Sequence, residues 1–346
     1  MKPESKYRVR EVSINDEQQW HQLLCYTQPQ TLFHELEFIR IVANVFAFSP
    51  KLIVVFKGET PIGGTVLWER TRWGQRIGIT PFYILYNPIR TLQLSTPRHF
   101  RRIENLHEVS IPLLKWMESH YRVVTLTTHP SIPDVRPFLW RRWQVRVLYT
   151  ACISLPWTKT SVERMNPELH RLYRRAQERT EWRFVADGDP AALWELIQQN
   201  YGRDDLVPPI EKDRFLEFAR QIQRYQKGKL FSLQSETGNV MAATLVIRDH
   251  STGYGLFLGR RSGHEGNLAS VRMLIQTAEY LSEKGLTRFD LGGAMVPSIA
   301  RFKLQLGANL LPYYQCIWTR GWIARLALGF QNWRNRRKRQ MVPARR

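Results

Sequence analysis

The residues best able to do chemistry cluster in FDLGGAMVPSIARFKLQLGA, Phe289 to Ala308. Asp290 ends a predicted strand and precedes two glycines. A carboxylate at a strand end that faces a cleft can orient an attacking amine or take its proton. Asp before glycines is also ordinary turn chemistry, so a structural role stays open. Lys303 can hold a phosphate or polarise a carbonyl, and Arg301 adds a second cation. Phe302, between them, and Leu306 read as core anchors. Upstream, the Gly259–Asn267 segment (GRRSGHEGN) is a candidate anion cradle. Gly259, Gly263 and Gly266 free the backbone to aim amides, Arg260 and Arg261 donate charge-assisted hydrogen bonds, and Asn267 precedes a helix whose positive end favours anions. A glycine-rich turn with two solvated arginines is the competing reading. Tyr254 could protonate a leaving group or serve as a partly buried structural tyrosine.

Other chemistries find no support. His34-Glu35 and His107-Glu108 lack the second histidine of a zinc helix, since Phe38 and Ile111 stand there. There is no G-x-S-x-G and no Walker loop. Direct attack of an amine on an activated carbonyl needs no enzyme nucleophile, so those absences leave that chemistry open.

These residues must be positioned by a fold, and an internal duplication suggests which. LIVVFKGETPIGGTVLW from Leu52 and LFSLQSETGNVMAATLVI from Leu230 both read as strand, turn, strand. Gly63 and Gly64 align with Ala242 and Ala243, small residues that let a strand approach a neighbour closely. Helices are predicted before each hairpin: Asp16–Cys25 and Glu35–Val45, then Ala191–Tyr201 and Lys212–Lys227. Each hairpin is followed by a helix running into a strand. The first pair is Ile111–His120 with VVTLTT. The second is Leu268–Lys284 with TRFDL, where Val271, Leu274, Ile275, Ala278 and Leu281 recur at helical spacing. The expected fold is mixed α/β, two tandem halves each with a mixed, mostly antiparallel sheet flanked by helices. The expected boundaries are 1–150, 151–319 and a basic amphipathic tail, 320–346.

Two such halves resemble the Fem-type and GNAT-like acyltransferases, and the second half carries the resemblance. FLGRRSGHEGNLAS, FDLGG and RFK, with RRAQERTEWRFVA from Arg174 and NYGRDDLVPPIEKDRF from Asn200, are similar to the signature of the acetyltransferase-like branch. The resemblance implies an N-acyltransferase that moves an acyl group from an acyl-CoA donor to an amine of a small molecule, sugar or cell-envelope precursor, without a metal. Asp290, Lys303 and Tyr254 would be catalytic; Gly259, Arg260, Arg261, Gly263, Asn267 and Arg301 would hold the donor. Arg261-Ser262-Gly263-His264-Glu265-Gly266 departs from the usual Q/R-x-x-G-x-G/A acetyl-CoA loop. That leaves a Fem-type aminoacyl-tRNA donor, acting on a peptidoglycan-like precursor, as the alternative. A degenerate transferase fold serving as a membrane-surface scaffold is the third reading.

Composition bounds all three. The 346 residues are 43% hydrophobic with 12 Trp, which rules out a disordered chain. Cys25, Cys152 and Cys316 are too few and scattered for a disulfide scaffold and fit a reducing compartment. No window matches a signal peptide or a spanning helix. A cytoplasmic protein is expected, peripheral at most on the inner face of the membrane. The net charge of +21 is unevenly spread. Residues 320–346 hold nine Lys/Arg and no acid; residues 136–183 hold eleven against four Glu. In the tail, Trp322, Ile323, Leu326, Phe330 and Trp333 share a helical face ahead of RNRRKR, a pattern suited to an anionic membrane surface or to docking. Only the central cluster bears on an anionic donor or tRNA.

Overall fold

A computed structural model describes residues 6–72, 74–94, 98–202 and 207–321. In chain order the elements are β1 (Tyr7–Val12), α1 (Glu17–Tyr26), β2 (Thr27–Gln28), α2 (Leu36–Phe46), β3 (Ser49–Lys57), β4 (Thr60–Arg72), β5 (Gln75–Ile79), β6 (Arg90–Leu92), α3 (His99–His120), β7 (Val123–Thr127), α4 (Arg136–Trp140) and β8 (Gln144–Ser154). They continue as α5 (Lys159–Glu163), α6 (Pro167–Gln177), β9 (Arg183–Ala186), α7 (Pro190–Gly202), α8 (Lys212–Arg224), β10 (Gly228–Gln234), β11 (Val240–Arg248), β12 (Thr252–Arg260), α9 (Gly263–Glu283), β13 (Arg288–Gly293), α10 (Pro297–Gln305) and β14 (Asn309–Thr319). The basic tail beyond Gly321, and Arg203–Leu206 of the Asn200 segment, lie outside the described residues.

The chain forms two compact units. The first comprises 1–36, 48–147 and 314–346; the second comprises 37–47 and 148–313. Each takes one segment from the opposite half of the sequence, which a single cut near residue 150 does not provide. Packing and pairing account for both segments. Phe46 of α2 lies 5.3 Å from Phe218 of α8, ring to ring, inside the second unit. In the first unit the end of β14 pairs with β7, from Gln315 opposite Thr127 to Thr319 opposite Val123.

The first unit orders its strands β1-β3-β4-β5-β7 and then the end of β14. All neighbours are antiparallel except β5 and β7, which run parallel because the chain crosses back through α3 before entering β7. The second unit repeats this order as β9-β10-β11-β12-β13 and then the end of β8. Here β12 and β13 are the parallel pair and α9 is the crossover. The duplication expected from the hairpins is therefore a duplication of topology. In α3, Leu106, Val109, Leu113, Leu114 and Met117 are buried, one face of a 3.6-residue repeat. In α9, Leu268, Val271, Leu274, Ile275, Ala278 and Leu281 do the same. Both helices begin earlier than their apolar stripes suggest, because the first turn of α9 is polar or small and that of α3 exposes its one apolar residue, Phe100.

The aligned small residues have the close approach their size implies. A Cβ on Gly63 would lie 2.3 Å from the Arg90 carbonyl oxygen and 2.5 Å from Val109 Cγ2; one on Gly64 would lie 2.3 Å from the Ile53 carbonyl oxygen. Ala242 and Ala243, their counterparts, are fully buried. Gly63→Ala must push backbone off backbone, so it should cost about 2 kcal/mol. Urea unfolding would show a lower midpoint at unchanged slope; an unchanged midpoint would contradict this packing.

Candidate active site

β13 is not a regular strand. Against β8, Asp290 faces Cys152 and Gly293 faces Thr150, so Leu291 and Gly292 stand where only Ala151 stands opposite. This is a bulge, and Gly292 takes a positive φ of 77°, which disfavours any side chain there. Two side chains hold it. Asp290 is 2% exposed, and its Oδ1 accepts the Gly292 backbone N–H at 2.8 Å and the Thr150 hydroxyl. Lys303 Nζ donates to the carbonyls of Leu291, Gly292 and Gly293 at 2.6, 2.9 and 2.9 Å. An ammonium has three protons, and all three are used. Leu306, fully buried, anchors the end of α10, and the part-buried Phe302 packs against the same core.

The FDLGG and RFK motifs thus meet at one structure, with Asp290 gripping the bulge through an amide and Lys303 through carbonyls. Burial lowers the Lys303 pKa to about 8, against the neighbouring Asp290 and Cys152, which favour its charged form. Burial and then Asp290 raise the Cys152 thiol. The same two causes, in the same order, raise the Tyr313 hydroxyl. With its three protons committed to backbone carbonyls, Lys303 offers none to a phosphate or an acyl carbonyl in this structure.

Tyr254 stands opposite Asp290 in the β12–β13 register, but its hydroxyl donates to Asp249 Oδ2 at 2.8 Å. Burial, then Asp249, raises its pKa well above the ordinary tyrosine value. Asp249 Oδ1 also accepts the backbone N–H groups of Ser251 and Thr252. Tyr254 is thereby tied to the turn between β11 and β12, an arrangement that fits a structural tyrosine better than an acid.

The parallel pairing of β12 with β13 lasts three residues, Thr252 opposite Arg288 to Tyr254 opposite Asp290. Beyond it β12 continues to Arg260 on its β11 side only, with Leu256 bulged between Gly255 and Phe257. Gly255 still touches the bulge: a Cβ on Gly292 would lie 3.2 Å from the Gly255 carbonyl oxygen. The two strands part past that point, and among the described residues the β13 ladder does not extend to Leu256–Gly259. Leu258, on the open face, is 40% exposed.

The predicted cradle is shorter than its glycines suggest. β12 ends at Arg260 and α9 begins at Gly263, so Gly263–Asn267 is helix rather than loop. Gly259 and Gly266 are small for packing reasons. A Cβ on Gly259 would lie 2.6 Å from Leu196 Cβ on α7, and one on Gly266 would lie 1.9 Å from the Arg261 carbonyl oxygen. Gly263 does take a positive φ, 84°. Ser262 makes no side-chain cap at the start of α9. Arg261 Nε donates to the Val240 carbonyl at 3.0 Å and Arg260 Nη1 to the Arg261 carbonyl at 3.1 Å; Asn267 is exposed. Arg301 is placed elsewhere: with Arg164 and Leu304 it lines an open groove of about 660 Å³ between α10 and the start of α6. Asp290 and Lys303 are therefore brought together, the Arg260–Asn267 group forms a second cluster, and Arg301 joins neither through any hydrogen bond described. Among the described residues no group of three or more His, Cys, Asp or Glu could hold a metal ion.

Sequence reasoning missed Thr150, Cys152, Asp249 and Tyr313. Three of these lie on β8 and β14 and meet Asp290 only through sheet pairing and folding. Asp249 had a local signal, as an acid at a hairpin turn five residues from Tyr254.

Residues 164–304 match the family described as acetyltransferase (GNAT) domain, a stretch of less than half the chain. Among solved structures, FemX aligns with a TM-score of 0.62 at 10% identity, covering 89% of this chain and 96% of that one. The C-terminal DUF2156 domain of a protein described as a lysylphosphatidylglycerol synthetase, from Agrobacterium fabrum, aligns with a TM-score of 0.53 at 10% identity, over 91% and 96% of the two chains. A tandem GNAT protein from the clavulanic acid biosynthesis pathway aligns with a TM-score of 0.51 at 13% identity, over 90% and 97%. No curated protein matches the sequence significantly. The fold is the Fem/GNAT-like one that the second-half motifs resemble, and the domain match falls on those motifs.

Lys303→Met should remove the charged donor from three carbonyls and cost about 2 kcal/mol. The pH dependence has a definite sign. A folded pKa near 8, below the unfolded 10.5, means the unfolded chain binds more protons between those values, so this residue's contribution to stability rises with pH across that window. Denaturation from pH 8 to pH 10.5 should show wild type gaining on Lys303→Met; parallel curves would contradict the buried ammonium.

Proposed function

We propose that this chain is an N-acyltransferase whose second unit binds an acyl-CoA donor between β12 and β13. The observation that carries this reading is the early end of the β12–β13 ladder, with β12 leading through two residues into α9. An extended donor arm with amide groups can pair with the Leu256–Gly259 edge of β12, which the β13 ladder does not reach, as an added strand would. The uncapped α9 start, with the backbone freedom of Gly263 and the charges of Arg260 and Arg261, suits the donor's phosphates. The thioester then arrives beside the bulge of Leu291–Gly293. Asp290 and Lys303 set the bulge geometry, so that an amine of a small-molecule, sugar or envelope-precursor acceptor attacks the thioester carbonyl directly and releases the thiol. In this reading Asp290 acts mainly by position.

A second reading keeps the site and changes the donor to an aminoacyl-tRNA. The outer face of α6 favours it. Arg171, Arg174 and Arg175 are exposed there, while Leu169, Tyr173 and Ala176 face the core. Such a row can track a nucleic-acid backbone, and its binding would weaken steeply with salt. The basic tail fits peripheral association with an anionic membrane. Among the described residues no helix is long and apolar enough to cross one.

Calorimetric titration with acyl-CoA thioesters, paired with thiol release in the presence of amine acceptors, tests the leading reading. Saturable binding is expected, and Asp290→Asn, which loosens the grip on the Gly292 amide, should lower turnover about a hundredfold, the effect of a small misplacement of the reacting groups. Absence of binding to any thioester at millimolar concentration would overturn the CoA donor. Salt-sensitive binding of aminoacyl-tRNA in its place would establish the second reading.

A further inference from the structure

The first unit holds a pocket that plays no part in the proposed chemistry. It is a partly enclosed cavity of about 110 Å³ lined by Pro29, Pro88, Arg102, Leu106, His129 and Ser131, among others, none of them acidic. Behind one wall lies Arg90, 1% exposed. Its sequence neighbours Ile89 and Thr91 line the cavity, and its Nη1 donates to the carbonyl of Pro29 at 2.6 Å. Its other hydrogen bonds go to the Thr27 hydroxyl at 2.7 Å, the Leu24 carbonyl at 2.9 Å and the Thr27 carbonyl. Every one of these acceptors is neutral, and among the described residues no carboxylate pairs with Arg90.

A buried guanidinium without a counter-ion leaves a net positive field around it. Burial lowers its pKa only to about 10, so the charge persists at neutral pH. The one ionisable neighbour that favours the charged form is the Cys25 thiol, and no carboxylate does so. His34 is buried beside Arg90, and burial followed by that cation lowers its pKa well below the usual value, which keeps it neutral. Asp134, next to the lining residue Pro133, is already bound by Arg136 Nη2 at 2.8 Å and by His107 Nε2 at 2.7 Å. Arg102, exposed on α3 one turn before Leu106, adds a second cation on the solvent side. Leu106, Pro29, Pro88 and Ile132 provide an apolar surface, and the Ser131 hydroxyl a polar one. The size limits what sits inside the cavity to a few heavy atoms, since one of about 150 Å³ holds a benzene.

We propose that this pocket binds a small aliphatic carboxylate, with its alkyl group against Leu106 and the prolines and its anion held by Arg102 in the field of Arg90. The carboxylate is either a free short-chain acid or the carboxyl end of a larger molecule. The inference does not rest on the transferase reading, because every residue in it belongs to the first unit.

Protein-observed NMR titration with propionate, propionamide and N-acetylalanine tests it. Propionate or N-acetylalanine should saturate, with shifts centred on His129 and Ser131, and propionamide should bind about tenfold more weakly or not at all, the loss of a charge-assisted pair. Saturation by propionate identifies a free acid as sufficient. Saturation by N-acetylalanine alone identifies the carboxyl end of a larger ligand. Arg102→Gln, a surface change, should weaken binding about tenfold, while Arg101→Gln on the same helix should leave it unchanged. Equal binding of propionate and propionamide, indifference to Arg102→Gln, or no saturation by either acid at tens of millimolar would overturn the proposal.

Discussion

The second unit depends on a bulge at the end of β13 that is held from both sides. Gly292 sits in a left-handed conformation that the sheet does not otherwise provide. Left alone, such a bulge would expose amides and carbonyls with no ladder to satisfy them. Asp290 satisfies the Gly292 amide, and Lys303 satisfies three successive carbonyls. The bulge coincides with the point where β13 leaves β12. The side chains that stabilise irregular backbone therefore also fix the place where two parallel strands part. An opening between strands needs this kind of support, because otherwise the ladder would close or the edge would be left to solvent.

The same topology occurs in the first unit, where β5 and β7 are the parallel pair and α3 the crossover. There the small residues Gly63 and Gly64 allow close approach, but no Asp–Gly–Gly bulge or lysine clamp follows β7. The polar investment is placed differently, in Arg90 and the groups around it. One architecture thus carries two distinct polar clusters, a backbone clamp in the second unit and an uncompensated buried cation in the first. Duplication of a fold leaves each copy free to host its own site.

Much of this was legible in the residues themselves. The two hairpins, the stripe of α9 and the second half of α3 point to the architecture because period and turn chemistry are local, and FDLGG and RFK point to it through the family they resemble. What stayed hidden is non-local. Thr150 reaches Asp290 only through strand pairing across a long stretch of sequence. The acceptors of Lys303 are carbonyls, which every residue possesses and no sequence pattern marks, so its clamp looked like an open cation. The early start of α9 was masked by Gly263 and Gly266, which read as loop until the contact of Gly266 with the Arg261 carbonyl is seen. The exchange of α2 and the end of β14 between halves follows from tertiary contacts such as Phe46 with Phe218, and no local signal announces it.

The central claim is that the parted β12 edge and the start of α9 receive the donor. Hydrogen exchange of the full chain with and without a saturating acyl-CoA tests it most directly. The account predicts new protection in Leu256–Arg260 and in the first turn of α9, with the β1–β3 pairing of the first unit unchanged. Binding without protection in those two segments, or protection confined to the first unit, would contradict it.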